Sequence, residues 1–177
     1  MIFHMFFYCP KVIIEKVLEI NMNKKVYKVY VVLSWVAVFF WMVLIFRLSS
    51  QPAIESNDLS LGITDRIIRF LGTLIRQDID RLNHIVRKGA HFSAYLILAI
   101  LIYNAANRSK ISGWKSVVLV VSLCVLYAIS DEVHQLFVEG RSGQLSDVLI
   151  DSIGAVTGMG VYKLLQRLFP SILHGKK

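Results

Sequence analysis

Residues 26–46 read VYKVYVVLSWVAVFFWMVLIF, flanked by Lys24-Lys25 on one side and Arg47 on the other. A hydrocarbon core about 30 Å thick is crossed by about 20 helical residues. This run has that length and holds one charge, Lys28, near its start. Backbone N–H and C=O groups find no water in lipid, so such a run must be a helix that satisfies them internally. The stretch therefore reads as a transmembrane helix. Trp35 and Trp41 within it fit a lipid-facing helix, although only aromatics near the ends serve as interface anchors.

The rest of the chain agrees. It has 177 residues, a length suited to one domain. Hydrophobic residues make up 55%, charged residues 18%, and mean hydropathy is +0.57. Soluble domains carry about 25% charged residues, so this composition excludes a soluble domain and, more strongly, a disordered chain. With 3 Pro and 10 Gly it is neither collagen-like nor a flexible linker. The net charge of +8 reads as a membrane-topology signal and not as nucleic-acid binding. Cys9 and Cys124 form no CxxC or Cys/His zinc pattern, and Cys124 reads as a buried membrane thiol.

Three further spans follow, at about 88–106, 114–135 and 145–165. The fold class is all-α, a polytopic membrane bundle of four transmembrane helices. The apolar run Val117–Ile129 rises only about 20 Å and cannot cross alone. It must extend through Asp131-Glu132-Val133-His134-Gln135, or back through Trp114-Lys115, which places ionisable residues at membrane depth. Such residues are costly there and point to function by default.

Between the first two spans, Leu61–Ile79 carries Ile63, Ile67, Phe70, Leu71 and Leu74 at helical spacing, with Arg66, Arg69 and Arg76 on other faces. This reads as an amphipathic helix lying at the membrane surface in the first outer loop. A helix packed on the spans is the competing reading. Residues 1–25 read as an N-terminal extension. It is either interfacial or precedes a more natural start at Met22, and it lacks the basic start and small-residue cleavage site of a signal peptide. Residues 26–170 form the membrane domain and 171–177 a basic tail. Lys and Arg are more numerous beside the termini and in the loop between spans two and three. Both termini are accordingly expected in the cytoplasm, with the protein multi-pass in the cytoplasmic membrane.

That topology gathers polar residues at the outer face. Ser49-Ser50-Gln51 ends span one, and Arg87-Lys88-Gly89-Ala90-His91 opens span two, with Tyr95 one turn on. Asp131-Glu132-Val133-His134-Gln135 ends span three. Arg141 lies in the following loop, and Asp147 and Asp151 open span four. On a 3.6-residue wheel Asp147, Asp151, Gly154 and Gly158 fall within about 60° of one another, so these carboxylates point into the bundle. Gly154-x-x-x-Gly158 suits close helix packing and would also permit a homo-oligomer. Tyr127, Asp131, His134 and Gln135 share a face, while Glu132 points about 100° away.

Three readings remain open from the residues. Arg87, Lys88 and Arg141 neutralise the four carboxylates in a structural charge network. His and carboxylates serve as an acid/base or metal site. Arg and Lys hold a phosphate or carboxylate. The catalytic candidates are His91, Asp131, Glu132, His134, Asp147 and Asp151. The ligand-binding candidates are Ser50, Gln51, Arg87, Lys88, Tyr95, Gln135 and Arg141. No metal-binding motif such as H-E-x-x-H and no cofactor motif is present in the sequence.

These residues resemble the VanZ-like family. The likeness is carried by Ser49-Ser50-Gln51-Pro52, by Leu82-Asn83 with Arg87-Lys88-Gly89-Ala90-His91-Phe92 and Tyr95, and by Asp131-Glu132-Val133-His134-Gln135-Leu136-Phe137 with Gly140-Arg141. Asp147-Val148, Asp151 and Gly154 complete it. The resemblance implies a small multi-span protein of a Gram-positive bacterium. It also implies an effect on susceptibility to teicoplanin, a lipid-anchored glycopeptide that acts outside the cell. The partners expected are membrane lipids and a lipid-linked cell-wall precursor or lipoglycopeptide. An integral-membrane enzyme is the alternative, with His91 or His134 as acid/base on a lipid-linked or phosphate-bearing substrate. The Arg-Pro and Ser-Gly-His sets of lipid phosphatases are not visible.

Overall fold

A computed structural model describes residues 24–71 and 79–168. The N-terminal extension up to residue 23, the basic tail, and Leu74 and Arg76 of the expected amphipathic helix lie outside the described residues. Within them the chain forms five α-helices and no strand: α1 Lys24–Ser49, α2 Ala53–Leu71, α3 Ile79–Arg108, α4 Trp114–Gln135 and α5 Leu145–Leu168. All but α2 are long and apolar enough to cross a membrane.

Spans one, three and four match the sequence expectation closely. Helix α3 does not: it begins nine residues before the expected start at 88. The added segment holds Asp80, Arg81, His84 and Arg87, too polar to read as lipid-crossing. Its residues still favour a helix, and Asp80 in the first turn suits the positive end of the helix dipole. Nine residues lengthen the helix by about 13 Å.

Helix α3 is central and packs against each of the other four. Its closest partner is α5. A Cβ built on Gly154 would meet the carbonyl oxygen of Phe92, and one on Gly158 the carbonyl oxygen of Leu96. The glycine face of α5 is thus filled by α3 of the same chain and is not open to a second copy. The core between them holds Tyr95, Leu98, Ala99, Ile102, Ala155 and Met159.

Helix α1 leaves Val32, Val36, Phe39, Phe40 and Val43 exposed, as lipid-facing side chains would be. It is fastened by polar ends of aromatic residues. Trp35 Nε1 donates to Ser109 Oγ at 3.0 Å, and Trp41 Nε1 donates to the Ala94 carbonyl at 2.9 Å. The Tyr127 hydroxyl donates to the Met42 carbonyl at 2.6 Å, and the Tyr27 hydroxyl donates to the Arg108 carbonyl. Both tryptophans are therefore half-buried against α3 and its following turn, on a helix that otherwise leaves its apolar side chains exposed. A buried indole N–H needs an acceptor, and only the protein side supplies one. Trp41→Phe keeps an aromatic ring but removes the N–H-bearing ring of the indole and with it one interhelical hydrogen bond. We expect it to cost at least about 0.6–1 kcal/mol, measured as a lower melting temperature in detergent. An unchanged melting temperature would show that ring packing alone holds α1.

Helix α2 starts after Pro52, eight residues before the expected Leu61. Its Ala53 N–H donates to the Glu139 carbonyl at 3.1 Å, which ties it to the α4–α5 loop. Its buried side is a polar stripe. Thr64 and Ser60 are buried, and Asn83 of α3 donates through Nδ2 to Asn57 Oδ1 at 2.7 Å. Leu59, Ile63 and Phe70, within about 40° of one another on the helix, are exposed.

Candidate functional site

Hydrogen bonds and one ion pair bring four chain segments together at one end of the bundle. These are the end of α1, the middle of α3, the end of α4 with its loop, and the start of α5. The sequence reading named these segments, and the structure joins them.

The turn after α4 is short, so its backbone folds back over the end of the helix. Gly140 takes φ 72°, a left-handed conformation that favours glycine. A Cβ on Gly143 would stand 2.7 Å from the Glu132 carbonyl oxygen, so this approach needs a glycine too. The close approach lets the Gln144 N–H donate to Glu132 Oε2 at 2.7 Å. Gln144 and Gly143 were not singled out from the sequence. The shortness of the loop was the only signal for them.

Asp147, at the start of α5, forms an ion pair with Lys88 of α3. Both side chains are largely buried, at 5% and 15% exposure. Lys88 also donates to Gln144 Oε1 at 3.4 Å. Arg141 does not reach a carboxylate. Its Nε donates to the Gln51 carbonyl at 2.9 Å and an Nη to the Leu48 carbonyl at 3.3 Å. These carbonyls close α1, where a cation suits the helix dipole. Burial, and then nearby Arg87, draw the Arg141 pKa below its ordinary value. A guanidinium stays charged regardless.

Around the pair lies a second group. A nitrogen of His91 and one oxygen each of Asp131 and Glu132 lie within 4.8 Å of one another. Asp151 Oδ1 lies 3.6 Å from His91 Nδ1. Asp131, Glu132 and Asp151 are 3%, 6% and 0% exposed. Gln135 Nε2 donates to Asp131 Oδ2 at 3.3 Å and to Ser49 Oγ at 3.0 Å. The fully buried Tyr95 hydroxyl has no partner among the described residues and lies within electrostatic reach of Asp131 and Asp151.

Two placements differ from the helical-wheel expectation. Glu132 was turned away from the cluster by that reading, yet its carboxylate sits in it. His134 was placed beside Asp131, but its Nε2 is 3.0 Å from Ser50 Oγ and its ring is 4.5 Å from that of Phe46. The reason is that α4 contacts α1 as well as α3 and α5. Asp131 lies between two polar sides of α4, and successive residues turn to different neighbours. The expected charge network is correspondingly smaller. Among the described residues Lys88 pairs with Asp147, and no Lys or Arg comes within ion-pair distance of Asp131, Glu132 or Asp151.

The arrangement can hold a cation or protons between His91 and three carboxylates. Arg87, Lys88, Ser50 and Gln51 stand nearby. A family model described as VanZ/LLP1 matches residues 34–166, which includes every residue of this site. No curated protein and no solved structure matches the chain.

Proposed function

The chain belongs to the VanZ/LLP1 family, and we propose that it acts on amphiphiles at the outer face of the cytoplasmic membrane, lowering susceptibility to lipoglycopeptides such as teicoplanin. The polar end of the bundle faces outward in this reading, with both termini in the cytoplasm. Handling of envelope lipids is the same activity seen from the native partner's side, since both ligands join an anionic or polar head to an acyl chain. The observation that supports this best is the pairing of two surfaces at one end of the molecule. Cationic and hydrogen-bonding groups, Arg87, Lys88, Ser50 and Gln51, stand at the bundle end. Helix α2, tied to that end through Ala53 and Glu139, leaves Leu59, Ile63 and Phe70 exposed. An interfacial helix presents such a face to the acyl boundary.

The test is expression of the full chain in a susceptible Gram-positive host. Inhibitory concentrations are compared for teicoplanin and for a glycopeptide without a lipid tail. We expect a several-fold rise for teicoplanin alone, largely lost in Arg87→Ala at equal membrane abundance. A cysteine introduced at exposed Ser142 should react with an impermeant maleimide added outside intact cells. Equal inhibitory concentrations with and without the protein would remove the resistance reading. Labelling only after cell lysis would place the site on the other side.

A further inference from the structure

Three carboxylates converge on His91 inside membrane-crossing helices. Burying even one ionised carboxylate costs several kcal/mol unless it is paired. Lys88 is engaged by Asp147, Arg141 by backbone carbonyls, and nearby Arg87 comes within ion-pair distance of none of the three acids. The positive charge that these acids need must come from elsewhere.

The detail of their hydrogen bonding narrows the answer. Asp131 is held through Oδ2 by Gln135, and Glu132 through Oε2 by the Gln144 N–H. The other oxygen of each, Asp131 Oδ1 and Glu132 Oε1, is buried without a partner. Each carboxylate is thus fixed on one side and open on the other. Both oxygens of Asp151 are also buried without a hydrogen-bond partner, and Oδ1 lies toward His91 Nδ1. A carboxylate at one imidazole nitrogen orients a histidine that ligates through the other, so with Asp151 at Nδ1 the ligating atom would be Nε2.

We propose that His91, Asp131 and Glu132 bind a divalent transition-metal cation, Mn2+ or Zn2+, with Asp151 positioning the imidazole. Donor atoms on one such ion lie about 3–4 Å apart, given bonds of ~2.1 Å. From the observed limit of 4.8 Å a pair of donors would close by about 0.8–1.8 Å, shared between the two side chains. One nitrogen with carboxylate oxygens suits Mn2+ or Zn2+ better than the all-oxygen cations Mg2+ and Ca2+. The sequence offers a metal site as one of three readings but does not choose its ligands, because two of them come from α4 and the third from α3. The inference rests on the cluster alone and is independent of any effect on antibiotics.

The full chain, purified in detergent and stripped with a chelator, is titrated with MnCl2 or ZnCl2. Bound metal is counted by mass spectrometry after gel filtration. One equivalent per chain is expected, retained against excess MgCl2, with a raised melting temperature. His91→Gln and Glu132→Gln should each weaken binding by at least about tenfold, and Asp151→Asn by about ten- to a hundredfold. His84→Ala, at an exposed position outside the cluster, should bind as wild type does. Should the variants fail to fold, the wild type alone decides: bound Mn2+ must show hyperfine coupling to one imidazole nitrogen. Substoichiometric metal, displacement by Mg2+, or bound Mn2+ without nitrogen coupling would overturn the proposal. The first of these would assign the charge balance to protons.

Discussion

Gly154→Val should largely abolish accumulation of the folded protein, with Gly158→Val close behind. At both positions a Cβ would run into a backbone carbonyl of α3, at Phe92 and Leu96 respectively. Backbone cannot rotate aside as a side-chain tip can, so α3 and α5 would have to separate. Overpacking a tight core usually costs 1–3 kcal/mol, and a rigid obstacle places these substitutions at about 3 kcal/mol or above. Helix association in lipid relies on close packing, because burial from lipid offers no hydrophobic gain. Separating the closest helix pair also pulls Asp147 from Lys88 and Asp151 from His91. Gly160 is the control. It lies on the same helix with nothing within 4 Å of a built Cβ. Gly160→Ala should be neutral, or stabilising by up to about 1 kcal/mol through helix propensity. Size-exclusion profiles after heating detergent extracts would separate the three. Equal survival of Gly154→Val and Gly160→Ala would mean that the α3–α5 contact does not hold the bundle together.

The four helices long and apolar enough to cross a membrane were legible because lipid imposes one simple rule on length and composition. The N-terminal part of α3 was not, since Asp80, Arg81 and Arg87 break the apolar run while the backbone stays helical. Helix α2 was displaced for a related reason. The sequence reading follows an apolar stripe with Ile63, Ile67 and Phe70 and sets it at the membrane surface. Ile63 and Phe70 are exposed, while the side turned to α3 is polar, with Ser60 and Thr64 buried, and apolar periodicity does not mark where such a side begins. At the site, the gathering of four segments followed from topology alone. The direction of each side chain did not. Periodicity assigns residues to faces, but which neighbour covers a face is a tertiary fact. Glu132 and His134 differ by two residues and turn to different helices. The role of Arg141 was hidden likewise, because backbone carbonyls at the end of α1 compete for it with the acids that a charge count would pair it with.

The Lys88–Asp147 pair carries the second large effect, and it separates structure from function. Lys88→Met leaves Asp147, 5% exposed, as a buried charge with no counter-ion. Breaking a buried pair from one side costs about 3–5 kcal/mol. Asp147→Asn should cost less, because Lys88 is more exposed and keeps Gln144 Oε1 within reach at 3.4 Å. The double variant Lys88→Met/Asp147→Asn removes both charges and should recover most of the loss. A double-mutant cycle on melting temperature and membrane abundance would then show coupling of about 2 kcal/mol or more, at or above the upper part of the usual range for residues in contact. Additive losses would mean that the two side chains do not stabilise one another. Antibiotic susceptibility measured on the same variants answers a different question. If the double variant is stable and still protects, the pair serves only to lock α3 to α5. If it is stable and no longer protects, the ammonium of Lys88 is needed by whatever the bundle end binds. The charge is then placed there for a ligand as well as for the fold.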